Sequence, residues 1–141
     1  MTTSGADVYP ARVTLDTTAY SWLRRGNAAT VGIVAEADVV LIPTTVVGEL
    51  EAGFRIGARY LENRRVLEEF LREPYVDVCD TTADVARRYG EVFAELKRAG
   101  TPIPVNDIWI AASTLASGTH LITFDSDFAR IPGLAHSVLT A

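Results

Sequence analysis

Residues 106–128 read NDIWIAASTLASGTHLITFDSDF, and this stretch decides the fold. Its first part, DIWIAASTLAS, is apolar almost all round, which is typical of a buried helix. HLITF, at residues 120–124, is a short apolar run with the length of a buried strand. Asp107 opens the helix, whereas Asp125 and Asp127 follow the strand. The stretch therefore predicts a helix and a strand of an α/β sheet, with acids at their ends.

The rest of the chain alternates short strands and helices in the same way. Strands are predicted at residues 12–16, 38–42, 75–79 and 136–140, with helices between them. In the clearest helix, residues 81–100, Thr81 and Asp84 suit a capping box. One face of that helix carries an apolar stripe of Val85, Tyr89, Val92, Phe93 and Leu96. The alternation predicts an α/β three-layer sandwich, with a mostly parallel sheet of about five short strands and helices on both faces.

Composition limits the class of protein. The chain has 141 residues, of which 48% are hydrophobic and 22% charged, as expected for a single domain. Residues 1–10 are expected to form a flexible leader, without the apolar core of a signal peptide. The single cysteine of the chain, Cys79, is expected to be a small buried hydrophobic residue, and a single cysteine fits a reducing cytosol. No apolar run approaches the roughly 20 residues that cross a bilayer, so a cytoplasmic location is expected.

The net charge of −5 argues against bulk electrostatic attraction to nucleic acid, although the location of charge matters more than its sum. Nine of the 13 basic residues fall between Arg55 and Arg98. Most are expected on solvated helix faces, and a minority at the border of a cleft that holds a polyanion.

The acids are expected to converge. Asp16 follows the first strand, Asp125 and Asp127 follow a later one, and ligand sites form beyond the carboxyl ends of parallel strands. Gathered carboxylates require a proton, a basic side chain or a metal ion. The stretches that carry these acids contain no Lys or Arg, and the nearest basic residue is Arg130, three residues past Asp127. Oxygen ligands alone select Mg²⁺ or Mn²⁺, either of which can activate water against a phosphodiester.

Helix capping is the alternative role for these residues, because Asp and Asn are favoured at helix starts. It applies at three places where a helix can begin: Asp16, Asn106 or Asp107, and Asp125 or Asp127. Glu49 lies within a predicted helix, so capping does not explain it and solvation of a helix face is the alternative.

Four motifs stand in a characteristic order: LDTT (15–18), TTVVGEL (44–50), PVNDIWIAA (104–112) and LITFDSDF (121–128). In order and spacing they resemble the PIN-domain ribonucleases, and specifically the VapC-type toxins of bacterial toxin–antitoxin pairs. The resemblance covers nearly the whole domain and implies a PIN-like fold for residues 11–141.

The resemblance also implies a metal-dependent endoribonuclease that leaves 5′-phosphate and 3′-hydroxyl ends. Its catalytic acids fall on Asp16, Glu49, Asp107 and Asp125, which with Asp127 hold one or two Mg²⁺ or Mn²⁺ ions. Thr17 and Thr123 match hydroxyl positions that line such a site, and Asn106 is expected to orient the turn. The implied partners are an RNA substrate, a VapB-like antitoxin that covers the acidic cleft and binds the helices at 44–72, and a second copy in a homodimer.

Several alternatives stay open at this point. A non-catalytic PIN-fold module that binds RNA or protein is one, although it would be favoured only if a key acid were missing. A receiver-like signalling module is rejected, because it expects adjacent acids after the first strand and a lysine late in the chain. Here one aspartate follows the first predicted strand, and the only lysine, Lys97, lies inside a predicted helix. Trp22 and Trp109 suggest stacking on RNA bases, but both lie in apolar helical patterns, so core packing is expected. The RNA target, the number of metal ions, and the choice between Asp125 and Asp127 as direct ligand are not encoded in these motifs.

Overall fold

The computed structural model describes residues 9–141, so most of the leader predicted at residues 1–10 lies outside the described residues. Short strands and helices alternate, as predicted. The strands are β1 (Arg12–Leu15), β2 (Val39–Pro43), β3 (Val76–Cys79), β4 (His120–Thr123) and β5 (His136–Val138). The helices are α1 (Thr17–Arg24), α2 (Ala28–Glu36), α3 (Thr44–Ile56), α4 (Tyr60–Leu71), α5 (Ala83–Ala99) and α6 (Val105–Ser117), with a 3₁₀ helix at Ser126–Arg130.

The five strands form one sheet in the order β3-β2-β1-β4-β5, and every neighbouring pair is parallel. The predicted mostly parallel sheet is confirmed, and it is in fact wholly parallel. The chain runs outward from β1 through β2 to β3, then returns to place β4 on the other side of β1. The strand order therefore reverses between β1 and β4, which is where ligand sites form in open α/β sheets. We call the edge of the sheet at which all the strands end the carboxyl rim.

Both faces of the sheet are covered. Val13 and Thr14 project to opposite sides of β1, and both are buried, as are Leu121 and Ile122 in β4. A strand that is buried on both faces requires a layer of helices on each side. The predicted three-layer sandwich is thereby confirmed, and it fixes where the loops at the carboxyl rim begin.

Two details of α5 differ from the prediction. The N-cap is Thr82, whose side chain accepts a hydrogen bond from the Val85 backbone N–H, whereas the hydroxyl of Thr81 lies 2.8 Å from that of Thr44. The capping box predicted at Thr81 and Asp84 is thus wrong by one residue. Phe93 is 42% exposed, because it follows Val92 around the helix and stacks on Tyr89 at the edge of the buried stripe.

The expectation of core packing for both tryptophans is wrong in part. Trp22 and Trp109 are each partly exposed, because each lies at the edge of the buried face of its helix and packs on another aromatic ring. Cys79 is half-buried rather than buried, at the end of an outer strand. Among residues 9–141, no helix combines the length and the apolarity needed to cross a membrane.

Candidate active site and metal centre

The predicted site residues lie at the carboxyl rim, around the point where β1 and β4 run side by side. Asp16 directly follows β1, and its backbone N–H donates to the Ile122 carbonyl of β4 at 3.3 Å. Asp125 follows β4 after one further residue. The parallel pairing of β1 with β4 therefore brings together two acids that are far apart in the chain.

Asp16 is buried, with 3% of its surface exposed. Its Oδ1 accepts hydrogen bonds from the Ala19 backbone N–H (2.8 Å) and the Thr18 hydroxyl (2.7 Å), so it does cap α1. Its Oδ2 accepts a hydrogen bond from the Thr123 hydroxyl of β4 at 2.5 Å. Burial raises the pKa of Asp16, while the hydrogen bonds from Thr123, Ala19 and Thr18 lower it and so favour the ionised form.

Asp125 and Asp127 lie on the turn that leads into the 3₁₀ helix. Asp125 caps that helix, since its Oδ1 accepts a hydrogen bond from the Asp127 backbone N–H at 2.9 Å. The Asp125 backbone N–H in turn donates to the Thr123 hydroxyl at 2.9 Å. Arg130 approaches Asp127 with 3.6 Å between Nη1 and Oδ1. One arginine is therefore paired with one acid of the group, and this surface pair is weak.

Asp107 is the third residue of α6, not its cap. The N-cap position is occupied by Pro104 without a side-chain hydrogen bond, because α6 starts two residues before the aspartate. Within residues 9–141 no side chain or backbone group donates a hydrogen bond to the Asp107 carboxylate. One carboxylate oxygen from each of Asp107, Asp125 and Asp127 lies within 4.8 Å of the other two. Capping thus fails for Asp107, which points at other acids instead.

Burial and the proximity of the other acids together raise the pKa of Asp107. Burial raises its pKa first, and the charges of Asp125, Glu49, Asp16 and Asp127 raise it further, to about 7 from the ordinary 3.8. All five predicted acids are therefore close enough to interact. A carboxyl with a pKa near neutrality, in a cluster without matching bases, is typical of functional sites.

Glu49 joins the site from α3 through two neutral side chains. The Thr17 hydroxyl donates a hydrogen bond to Oε1, and the Asn106 amide donates one to Oε2 at 3.2 Å. Glu49 is thereby held in place rather than simply solvated. It lies outside the group of three oxygens at 4.8 Å, and Asn106 binds this carboxylate rather than serving only to orient the turn.

The role of Thr18 in the site was not predicted from the sequence. Its hydroxyl donates to Asp16 and accepts a hydrogen bond from the Phe124 backbone N–H at 3.0 Å, which ties α1 to the turn after β4. The signal was present in the LDTT motif, where the second threonine stands two residues after the acid. Threonines are common near helix starts, so the sequence alone gave no reason to select this one.

The chemistry of the donor set fits a hard divalent cation. The three converging groups offer only carboxylate oxygens, which suit Mg²⁺ or Mn²⁺ rather than softer metals. A cation among them would replace the proton that Asp107 retains and would offset the repulsion that raises its pKa. The residues that would hold it are Asp107, Asp125 and Asp127, with Asp16 and Glu49 alongside.

Fold and site together define a class of protein: a wholly parallel α/β sandwich with an acidic cluster where its strand order reverses. Residues 13–134 match the family described as PIN domain. The chain is 30% identical over 103 residues to Ribonuclease VapC2 of Rickettsia felis, covering 72% of this chain and 75% of that protein. It is 29% identical over 132 residues to Ribonuclease VapC5 of Mycobacterium tuberculosis, covering 89% of this chain and 92% of that one. The chain belongs to the PIN-domain family, and within it to the VapC-type proteins.

Solved structures agree with this assignment. The crystal structure of VapBC2 from Rickettsia felis, bound to a DNA fragment from their promoter, superposes with a TM-score of 0.80 at 25% identity, covering 92% of this chain and 99% of that chain. VapBC-1 from nontypeable Haemophilus influenzae gives a TM-score of 0.80 at 26% identity, covering 89% of this chain and 96% of that one. The PIN-like fold expected from the four motifs is thereby confirmed.

Proposed function

We propose that this chain is a metal-dependent endoribonuclease, the toxin of a toxin–antitoxin pair, which hydrolyses RNA with the help of Mg²⁺ or Mn²⁺. The observation that carries the proposal is Asp107: an uncapped, half-buried carboxyl with a pKa of about 7, within 4.8 Å of Asp125 and Asp127. The relatives named ribonucleases support the same reaction, since each spans most of this chain.

In this proposal the acids hold the cation, and neutral side chains around them hold the acids in position. A bound divalent cation supplies water activation and stabilisation of the leaving oxygen. Thr123 and Thr18 lower the pKa of Asp16 against the effect of burial and fix its orientation, because both donate hydrogen bonds to its carboxylate. Thr17 and Asn106 fix the orientation of Glu49, because both donate hydrogen bonds to its carboxylate. Such supporting hydrogen bonds orient ligands and limit the motion of the site.

The proposed ligands are Asp16, Glu49, Asp107, Asp125 and Asp127. Within this set Asp107 is the group whose ionisation follows loading, because it holds a proton near pH 7 when no cation opposes the neighbouring charges. Asp125 is oriented in advance by its own capping bond, whereas Asp127 forms only a weak surface pair with Arg130.

A VapB-like antitoxin is the proposed partner. The structural relatives include VapBC complexes, and α3 and α4 of this chain carry two prominently exposed apolar side chains, Ile56 (89%) and Leu61 (80%). Exposed apolar groups on one pair of helices suit a protein partner. A homodimer, as the family resemblance implies, and a cytoplasmic location complete the proposal.

RNA cleavage by the purified protein is the test. The protein is incubated with total bacterial RNA plus Mg²⁺ or Mn²⁺, with EDTA as one arm, and the product ends are mapped. The proposal expects metal-dependent cuts with 5′-phosphate and 3′-hydroxyl ends, lost in Asp107→Asn and kept in Asp77→Asn, an exposed acid on β3. RNA bound tightly but never cut, with all five acids intact, would instead favour the non-catalytic module.

A further inference from the structure

Half of the 12 arginines in this acidic chain pair with a carboxylate. Five of the nine basic residues between Arg55 and Arg98 pair with an acid on their own helix, three or four residues away: Arg55, Arg59, Arg64, Arg65 and Arg87. An arginine that shares its charge with a neighbouring carboxylate is a poor binder of phosphate, because the acid repels the anion. Most of the nine therefore lie in ion pairs on exposed helix faces, as expected, and are poor candidates for the predicted minority that borders a polyanion.

The end of α1 is different. Arg24 and Arg25 form no salt bridge among residues 9–141, and each lies over aromatic rings instead. The Arg25 guanidinium lies 4.9 Å from the centre of the Trp22 ring, whereas Arg24 lies 5.3 Å from the rings of Tyr20 and Phe70. Two arginines without a paired acid therefore stand together at the end of the helix that Asp16 caps.

Trp22 connects the two arginines at the end of α1 with the loop that carries the acidic cluster. Its ring lies 5.7 Å from that of Phe124, with 30° between the two planes, and both residues are partly exposed. Phe124 stands between Thr123 and Asp125, and its backbone N–H is held by Thr18. The aromatic pair is therefore fixed to the same loop that carries the acids.

We propose that Trp22, Phe124 and Arg25 form a nucleotide-binding subsite beside the acidic cluster. A base of single-stranded RNA stacks on the Trp22 ring where the Arg25 guanidinium now lies, and the guanidinium turns to the adjacent phosphate. This proposal rests on the proposed function, since it takes RNA as the ligand.

Three observations favour RNA as the occupant. Arg25 is exposed and forms no salt bridge among the described residues, so it can bind a phosphate. Tryptophan and arginine side chains offer flat surfaces on which unpaired bases stack. The neighbouring acids, in contrast, repel the RNA backbone, so a substrate needs a favourable contact close to them. Trp109 offers a comparison, because it stacks on Tyr89 at 4.1 Å and no arginine of residues 9–141 lies over its ring.

Fluorescence separates the two tryptophans, which are the only ones in the chain. Trp109→Phe leaves Trp22 as the sole reporter, and Trp22→Phe leaves Trp109. Each is made in an Asp107→Asn background, so that the RNA stays intact, and titrated with a short unstructured oligoribonucleotide containing all four bases. The proposal expects saturable quenching of Trp22 and little change in Trp109 emission.

Kinetics of the otherwise unaltered chain give the second readout. Trp22→Leu removes the stacking surface and is expected to raise KM for RNA roughly tenfold or more, with a much smaller change in kcat. Trp22→Phe restores part of the loss, and Arg25→Gln raises KM while Arg25→Lys does so less. Trp109→Phe is the control that leaves KM unchanged.

The outcomes distinguish the two proposals. Absence of metal-dependent cleavage in the unaltered chain contradicts the proposed function, and the quenching titration alone then decides the subsite. Normal cleavage with the same KM in Trp22→Leu, or equal quenching of both tryptophans, overturns the subsite and leaves the nuclease. Weakened binding of an antitoxin in Trp22→Leu, without any change in RNA binding, also overturns it and assigns this surface to a protein.

Discussion

One carboxylate oxygen of Asp107 lies within 4.8 Å of one of Asp125, and no described group donates a hydrogen bond to the Asp107 carboxylate. The two residues are brought together by different elements, since Asp107 stands in the first turn of α6 and Asp125 follows β4. Asp125 has a local partner in the Asp127 backbone N–H, whereas Asp107 has only other acids. The proximity of these two carboxylates is unfavourable in the metal-free protein and becomes favourable with a bound cation.

Asp107→Asn is expected to abolish RNA cleavage and to raise the melting temperature of the metal-free protein. Cleavage falls by at least roughly 100-fold, because even supporting residues of metal sites contribute that much. Stability rises because one of several repelling charges is removed without loss of a hydrogen bond. Calorimetry in EDTA and an RNA cleavage assay measure the two effects. Asp77→Asn, which removes an exposed acid from β3, is expected to change neither. A lower melting temperature in Asp107→Asn would show that this carboxylate has a structural role.

The stability of the metal-free protein is expected to depend on pH through Asp107. Its pKa in the folded chain is about 7, above the ordinary 3.8, so the proton stabilises the fold. This contribution is complete below pH 3.8 and is lost as the pH rises through about 7. The free energy of unfolding is measured in EDTA for the unaltered chain and for Asp107→Asn. The difference between them should grow in favour of the variant across that window. Saturating Mg²⁺ should reduce this dependence, and a difference that stays constant with pH would contradict the account.

Thr17→Val should weaken metal binding without affecting the fold. The hydroxyl of Thr17 donates to Glu49, so its loss leaves that carboxylate held only by Asn106. We expect the Mn²⁺ concentration for half-maximal cleavage to rise roughly 10- to 100-fold, as for other residues that support ligands. Thr44→Val is the matched control, because its hydroxyl pairs with Thr81 at the same carboxyl rim. Equal effects of the two variants would mean that Glu49 needs no support.

Thr123→Val should shift the pH profile of cleavage to higher pH. Thr123 donates to Asp16 and accepts from the Asp125 backbone N–H, and its hydrogen bond lowers the pKa of Asp16. Without it the Asp16 proton is lost at higher pH, and the acidic limb of the profile moves with it. Stability falls by about 1–3 kcal/mol, because buried polar groups lose a partner.

Thr14→Val is the control for that experiment. Thr14 forms a buried hydroxyl pair with Thr119 at 2.5 Å, away from the acids. Thr14→Val should lower the free energy of unfolding about as much as Thr123→Val does and leave the pH profile of cleavage unchanged. Thr123→Ser, which keeps the hydroxyl, should restore the original profile. A shift that appears in both valine variants would reflect general destabilisation.

Leu61→Asp is expected to weaken antitoxin binding by roughly tenfold or more, since buried apolar anchors contribute much of the free energy at protein interfaces. Leu61 is 80% exposed on α4, so the substitution should not unfold the chain or alter RNA cleavage. The partner to test is the product of a short open reading frame adjacent to this gene, and the affinity is measured by titration calorimetry. Val31→Asp places the same charge on α2, at a side chain that is 43% exposed, and should leave binding unchanged. Similar losses in both variants would place the interface elsewhere.

Strand and helix positions were predictable because their signals are local. The periodicity of the apolar residues, the β-branched runs and the breaks at Gly and Pro locate each element. The alternation of strands and helices that results predicts a parallel sheet. The convergence of Asp16, Asp107 and Asp125 on one rim followed from that topology. The helix caps were harder, because Thr81 and Thr82 are adjacent threonines and only the backbone decides which one accepts the Val85 N–H.

The roles of the acids could not be separated from sequence. Capping and site formation are compatible for Asp16, since one oxygen caps α1 while the other receives Thr123. For Asp107 they are exclusive, because α6 begins at Val105, three residues earlier than a cap at Asp107 requires. The partial exposure of Trp22 was also hidden, because an apolar helical pattern does not tell which ring lies at the margin.

Binding of Mn²⁺, followed by titration calorimetry and competed with Mg²⁺, tests the central claim most directly. The account predicts saturable binding to the unaltered protein that tightens as the pH rises through about 7, is lost in Asp107→Asn and is retained in Asp77→Asn. Equal affinity in Asp107→Asn and the unaltered protein, or no binding to either at neutral pH, would contradict it.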